Sequence, residues 1–332
     1  MKTIEVIVPC YNEEKCVSLF YARVKEVFEQ LKEYEFIITY VDDGSKDDTL
    51  EEIKKVVQTA DKGRVQYLSF SRNFGKEAAI YAGLSRSTGD YVTVMDADLQ
   101  HPPELLAEML DAIENEGYDC ATARRVSRKG EPPIRSAFSK AFYRIISKVT
   151  AIELVPGSTD YRLMKRKVVE AIVSMQEYER FTKGLYAWAG YKNKWIEYKN
   201  VERAAGKTKW SFWGLLRYAY SGFISFATTP LRGVVYLGIL TVLVSLGSAI
   251  YIFIGALNNN VAERTGYASI MILMLFLGGV IITILGMIGE YLARIYMEVK
   301  RRPIYFERES NILADKEVES NMKEVKNVEK AD

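Results

Sequence analysis

Two uninterrupted apolar runs near the C-terminus restrict this chain more than any other feature. Val234 to Leu257 and Tyr267 to Gly289 hold 24 and 23 residues without a charged side chain, and about 20 suffice for a helix to cross a bilayer. They predict two membrane-spanning helices; the alternative, two buried core helices, fits poorly with runs of this length. The link between them, 258–266, is polar and carries only Glu263 and Arg264, whereas Arg203, Lys207, Lys209, Arg217 and Arg232 precede the pair and Arg294, Lys300, Arg301 and Arg302 follow it. Basic residues collect on the cytoplasmic side, so both termini and everything before residue 210 are expected there. Gly238, Gly247, Gly278, Gly279 and Gly286 would let helices, or copies of the chain, pack closely, which makes a homo-oligomer the expected state. From Trp210 to Phe226 the chain is rich in aromatic residues and carries one charge, Arg217. That composition predicts an interfacial helix within 210–230. The charged stretch 298–332 is expected to be a cytoplasmic tail, disordered beyond Phe306.

The first 209 residues read differently. Ile4 to Val8 is a first strand ending at Pro9, Val17 to Leu31 has helical spacing, and Phe36 to Val41 is a second strand running into Asp42-Asp43-Gly44-Ser45. Ser45 with Asp48 forms a capping-box pattern that opens a helix to Thr59. Val65 to Ser69, a helix through Arg86, strand Tyr91 to Val94, a helix to Asn115 and strand Asp119 to Ala123 continue the alternation. This order predicts an α/β domain with a mostly parallel sheet and helices on both faces. Beyond it, 124–135 is a basic, proline-containing loop, 136–149 a helix, Tyr161 to Met164 a short strand, Phe181 to Ala189 a helix and Trp195 to Tyr198 a last strand. Cys10, Cys16 and Cys120 show no metal-ligand spacing and suit a reducing compartment. A net charge of +2 gives no reason to expect a nucleic-acid partner.

Within that domain the stretch Met95-Asp-Ala-Asp-Leu-Gln-His-Pro-Pro-Glu104 carries the chemistry. A buried strand delivers Asp96 and Asp98 to the carboxyl edge of a sheet, where ligands bind in open α/β folds. Two carboxylates one residue apart can hold a hard divalent cation whose shell substrate phosphates complete. The same pair can also be a solvated acidic turn.

Taken together, Val8-Pro-Cys-Tyr-Asn-Glu13, Val41-Asp-Asp-Gly-Ser45, Arg72-Asn-Phe-Gly-Lys76 and the Asp96 stretch resemble the family 2 glycosyltransferases of GT-A fold, over about residues 3 to 210. Within them the likeness is to the polyprenyl-phosphate glycosyltransferases, the bacterial members of which end in a two-helix hairpin. The resemblance implies that Pro9, Tyr11, Glu13 and Asp43 line the nucleotide pocket and that Lys76 faces the donor. It implies Asp96, Asp98 and Gln100 as ligands for Mg²⁺ or Mn²⁺, with Asp98 central to catalysis. Arg124, Arg135 and Ser139 would meet the acceptor phosphate, and guanidinium forks suit that task. Arg203, Lys207 and Lys209 would close over the diphosphate. Asp160 would position sugar or acceptor, because a lipid phosphate is already ionised near neutral pH and needs no strong base. His101, the single histidine, is expected to pack beside the site. The implied reaction moves one hexose, with inversion, from a nucleotide sugar such as UDP-glucose to polyprenyl (undecaprenyl) phosphate at the cytoplasmic face of a bacterial inner membrane. N-acetylglucosamine, mannose and aminoarabinose donors remain alternatives.

Three other classes fit the sequence less well. A processive polysaccharide synthase shares the early motifs but carries Gln-x-x-Arg-Trp, where this chain has Gln176-Glu-Tyr-Glu-Arg-Phe181. A non-catalytic membrane binding protein would have no need of Asp96, Asp98 and Gln100 together. A dinucleotide fold would require Gly-x-Gly-x-x-Gly after the first strand, and the chain lacks it there.

Overall fold

The computed structural model describes residues 1–126, 155–198 and 266–312, with isolated helical positions between 236 and 254. Eight strands form one sheet in the order β7-β5-β6-β4-β1-β2-β3-β8. They are β1 (Lys2–Cys10), β2 (Tyr34–Asp42), β3 (Val65–Phe70), β4 (Tyr91–Val94), β5 (Cys120–Arg125), β6 (Ser158–Lys165), β7 (Asn193–Tyr198) and β8 (Glu307–Ser310). Parallel pairing joins β1 to β2 and β4, β2 to β3, and β5 to β7; β6 and β8 pair antiparallel with their neighbours. The expected mostly parallel α/β sheet is present, with two antiparallel insertions.

Strand β1 sits at the centre because both its faces are buried and, apart from Glu5, which accepts from the Thr39 hydroxyl and the Thr88 and Gly89 amides, apolar from Ile4 to Val8. Ile4, Val6 and Val8 turn to one side and Ile7 to the other, each fully buried. The first side meets helices α1 (Val17–Phe28), α2 (Thr49–Thr59) and α4 (Leu105–Glu114) through Val17, Phe20, Ile53, Leu106 and Met109. The second meets α3 (Lys76–Arg86), α5 (Arg166–Ser174) and α6 (Thr182–Ala189) through Ala79, Ile80, Val169, Ile172 and Leu185. Each such aliphatic side chain stabilises the domain by roughly 1.5–3 kcal/mol. Helix α3 comes especially near the sheet: a Cβ on Gly83 would lie 2.1 Å from Ile7 Cγ2. The run Ala78, Ala79, Ala82, Gly83 makes that approach possible and sets the height at which Lys76, at the start of α3, meets the strand ends.

Three sequence expectations need correction. Asp48, not Ser45, precedes α2, and it caps with no side-chain hydrogen bond; the Ser45 hydroxyl instead accepts from the Asn12 amide at 2.9 Å. Helix α5 occupies a stretch assigned no element. Most consequential, the tail from 298 is not disordered throughout: Glu307–Ser310 pairs antiparallel with β3. The pattern of charges hid this, because an edge strand with one solvated side needs few apolar residues.

The last helix, α7 (Gly266–Val299), is 34 residues long. It contains the expected 267–289 run and continues ten residues past it. Among the described residues it is the one helix long and apolar enough to cross a membrane, over Phe276–Val299. Leu273, Phe276, Ile282 and Leu285 are exposed along it, the reverse of a core helix. At its end Arg294 pairs with Glu179 at 2.7 Å, and Glu298 accepts from the Tyr178 amide at 2.8 Å. The expected interfacial helix of 210–230 and most of the 234–257 run lie outside the described residues.

Candidate active site

Register brings the motifs to one edge. Pairing of Cys10 with Asp42 places Tyr11 beside Asp43, and pairing of Val94 with Ile7 sends Asp96 out beyond the same edge. Antiparallel β6 approaches from the other side. Its pairing runs Thr93 with Leu163 and Val94 with Arg162, so the ladder, continued two residues, sets Asp160 opposite Asp96. Residues 64 positions apart in sequence thus meet because β6 returns against β4.

Lys76 joins them. Its Nζ lies 2.7 Å from Asp96 Oδ1 and 2.7 Å from Asp160 Oδ2. Lys183, from α6, stands 3.8 Å from Asp160 Oδ1 and donates to the Ser158 carbonyl at 3.3 Å. Burial resists ionisation of Asp96, yet the Lys76 ammonium outweighs it and holds the carboxyl below its ordinary value. Asp160 is likewise resisted by burial and then driven well below the usual carboxylate range by Lys183 and Lys76. Both side chains are carboxylates at any neutral pH.

Asp42 and Asp43 part company. Asp42 is buried and accepts from the Ser45 amide at 3.0 Å and the Ser69 hydroxyl at 2.7 Å, which makes it a turn residue. Asp43 accepts from the Phe74 amide at 2.6 Å, the Gly75 amide at 3.0 Å and Asn73 Nδ2 at 2.9 Å. Burial nevertheless pushes its carboxyl up to about 6, against the pull of those amides. Gly44, at φ +64°, must be glycine, because a Cβ would stand 2.4 Å from the Arg72 carbonyl carbon. The Asp43–Gly44 turn and the 71–75 loop therefore form a single packed unit.

Asp98 is buried, and its Oδ1 accepts from the Gln100 amide at 3.1 Å across Leu99, which adopts φ 57°. His101 is buried too, stacked on Tyr161 at 5.6 Å and edge-on to Tyr198 at 6.2 Å. Burial lowers its pKa. A neutral ring between two tyrosines matches a packing role. Pro9, near the end of β1, and Tyr11 and Glu13, in the loop after it, are half-buried, with the Glu13 amide donating to Thr49 Oγ1 at 2.7 Å. Arg124 lies at the far end of β5, where it donates to the Pro156 carbonyl at 3.2 Å and pairs with Glu197 at 3.3 Å. Arg135, Ser139, Arg203, Lys207 and Lys209 lie outside the described residues.

Sequence reasoning overlooked Lys183 and the bonding role of Asn73. Asn73 stood inside a quoted motif. Lys183 had no signal at all, since only the packing of α6 beneath β6 brings it to Asp160.

Among the described residues no three acidic, imidazole or thiol side chains gather into a ready-made metal cage. Two carboxylates and an amide fit a cation that keeps open positions for substrate phosphates, which is the usual arrangement for Mg²⁺.

An α/β sheet that aims an Asp-x-Asp strand and a returning acidic strand at one edge, with a C-terminal apolar helix, describes a glycosyltransferase of GT-A fold. The chain belongs to glycosyl transferase family 2, whose profile matches residues 5–173, and residues 229–295 match the GtrB C-terminal hairpin. It is 45% identical over 309 residues to the putative glycosyltransferase CsbB of Bacillus subtilis, covering 93% of this chain and 92% of the relative. It is 38% identical over 308 residues to the bactoprenol glucosyl transferase of Shigella phage SfII, covering 93% and 98%. Among solved structures, the mannosyltransferase PcManGT from Pyrobaculum calidifontis, in complex with GDP-Man and Mn²⁺, is similar at 19% identity and a TM-score of 0.47, covering 69% of this chain and 67% of that one.

Proposed function

We propose that this enzyme transfers one glucosyl residue from UDP-glucose to undecaprenyl (bactoprenol) phosphate at the cytoplasmic face of the membrane that holds its C-terminal helices. The observation that carries this reading is the meeting of Asp96, Lys76 and Asp160 at one sheet edge. The likeness to a bactoprenol glucosyl transferase along nearly the whole chain supports the glucosyl and lipid parts of it.

The chemistry follows from charge. The acceptor phosphate is ionised near neutral pH, so its oxygen attacks the anomeric carbon without a base, and a single displacement inverts that centre. Asp160, bridged by two lysines, is a poor proton acceptor and orients sugar or acceptor instead. Asp43, Pro9, Tyr11 and Glu13 hold the nucleoside; carboxylates suit the N–H and hydroxyl groups of base and ribose. Lys76 would pass from its carboxylates to the donor diphosphate. Asp96, Asp98 and Gln100 would hold Mg²⁺ or Mn²⁺, which when bound neutralises charge developing on the leaving diphosphate. Arg124 with Arg135 and Ser139 would receive the acceptor phosphate, and Arg203, Lys207 and Lys209 would cover the diphosphate. A homo-oligomer assembled through the glycine-bearing hairpin completes the proposal.

The test incubates detergent-purified full chain with radiolabelled UDP-glucose, UDP-N-acetylglucosamine or GDP-mannose, undecaprenyl phosphate, and Mn²⁺ or EDTA. A cation-dependent glucolipid, absent in Asp98→Asn, is expected. No lipid product from any donor would refute the assignment, and a product from another sugar would refute the glucosyl part alone.

A further inference from the structure

We infer that the chain leaving α7 positions the donor pocket through residues 303–306: Tyr305 and Phe306 brace the 71–75 loop that fixes Asp43. The inference rests on reading Asp43 as part of that pocket.

Helix α7 ends at Val299, the chain reverses through Arg301 at φ 48°, and Pro303 starts an extended segment. Ile304 and Tyr305 then pack on the α3 side of the core. The Tyr305 ring stacks on Phe70, the last residue of β3, at 4.8 Å and 22°. The next residue holds the loop itself: the Phe306 carbonyl accepts from the Ser71 amide at 2.9 Å, and the Phe306 ring lies 6.2 Å from Phe74. Phe74 stands edge-on to Phe70 at 5.8 Å, with the Arg72 guanidinium over its ring at 4.1 Å. Tyr305, Phe70, Phe74 and Phe306 therefore frame the short loop whose Asn73, Phe74 and Gly75 donate to Asp43. The loop also delivers Lys76 to Asp96.

The segment is anchored apart from Tyr305. Asn311 closes on Tyr67, its Oδ1 accepting at 2.6 Å and its amide donating at 3.2 Å, while Glu307 pairs with Arg86 and Glu309 with Lys54. Removing one ring should thus leave β8 in place and loosen the loop. Because the segment continues directly from a membrane-length helix, the donor pocket is braced by the part of the chain that holds the enzyme to the membrane.

The experiment compares full-length wild type, Tyr305→Ala, Tyr305→Leu, Tyr305→Phe and Ile312→Ala in detergent. It measures UDP binding by calorimetry, KM and kcat for UDP-glucose, and Tm. Ile312 packs on the same core but away from the loop, so it reports a purely structural loss. The expected result is UDP affinity lowered and KM raised about tenfold in Tyr305→Ala, with kcat within about threefold, since loss of a stacked ring weakens what it holds by roughly that factor. Tyr305→Leu should fall between, Tyr305→Phe should match wild type, and Ile312→Ala should lower Tm with KM unchanged. Wild-type UDP affinity and KM in Tyr305→Ala and Tyr305→Leu would overturn the inference, as would no rescue by Tyr305→Phe. Wild type that binds no UDP would overturn the donor reading of Asp43 and this inference with it.

Discussion

Replacing Lys76 with methionine isolates the electrostatics of the site. The ammonium makes two charge-assisted hydrogen bonds of 2.7 Å, to Asp96 and Asp160. Breaking a fully buried pair from one side costs about 3–5 kcal/mol, whereas exposed pairs contribute about 0.2–1 kcal/mol. The side chains of Lys76, Asp96 and Asp160 are 36%, 30% and 16% exposed, so solvent screens part of the loss. Lys183 stays beside Asp160 but leaves Asp96 alone. A cost of about 1.5–3 kcal/mol follows, and at roughly 2–4 °C per kcal/mol for domains of this size it lowers Tm by about 3–12 °C. Both carboxyls titrate below their ordinary range in the folded chain. Their contribution is therefore complete above the unfolded value of about 3.9 and disappears only as pH falls through the lower folded values. Thermal unfolding of the solubilised full chain, without nucleotide or divalent cation, should show the same deficit at pH 6 and pH 8. Turnover of the proposed donor, UDP-glucose, should fall in parallel. A Tm within 1 °C of wild type, or a deficit that changes between those two pH values, would refute the argument.

Three further outcomes follow from the geometry. Asp43 is pushed up to about 6 by burial, so it is ionised above that pH and gains a proton below it, giving up an acceptor for the 73–75 loop. The pH profile of UDP binding by calorimetry should contain a fall through about pH 6 that Asp43→Asn lacks; the ligand's own phosphate titration is common to both proteins. Gly83→Ala places a methyl 2.1 Å from Ile7 Cγ2, and overpacking of about 1–3 kcal/mol should exceed the gain in helix propensity of about 1 kcal/mol. Its Tm should drop, and Lys76 should be displaced with α3. Gly44→Ala, strained at φ +64° and facing the Arg72 backbone, should lower both stability and UDP affinity, because the turn and the 71–75 loop occupy one packed unit.

The strands β1 to β4, their order of alternation with helices, and the apolar length of α7 were legible in the sequence alone. Each depends on local periodicity, and burial on both faces of β1 leaves a run from Ile4 to Val8 that is apolar at every position but Glu5. The Asp96 motif was legible as well, because Pro102 and Pro103 end one element and begin the next. What the tertiary structure decided was pairing. Asp160 could be placed opposite Asp96 only once β6 was seen to run antiparallel to β4, and Lys183 became part of the site only through the packing of α6. The charged strand β8 reads as solvent-exposed chain until the open edge of β3 is known to need a partner. Side-chain pattern records which face of an element is buried; which element lies against that face depends on contacts between residues far apart in the chain, and local sequence carries no trace of them.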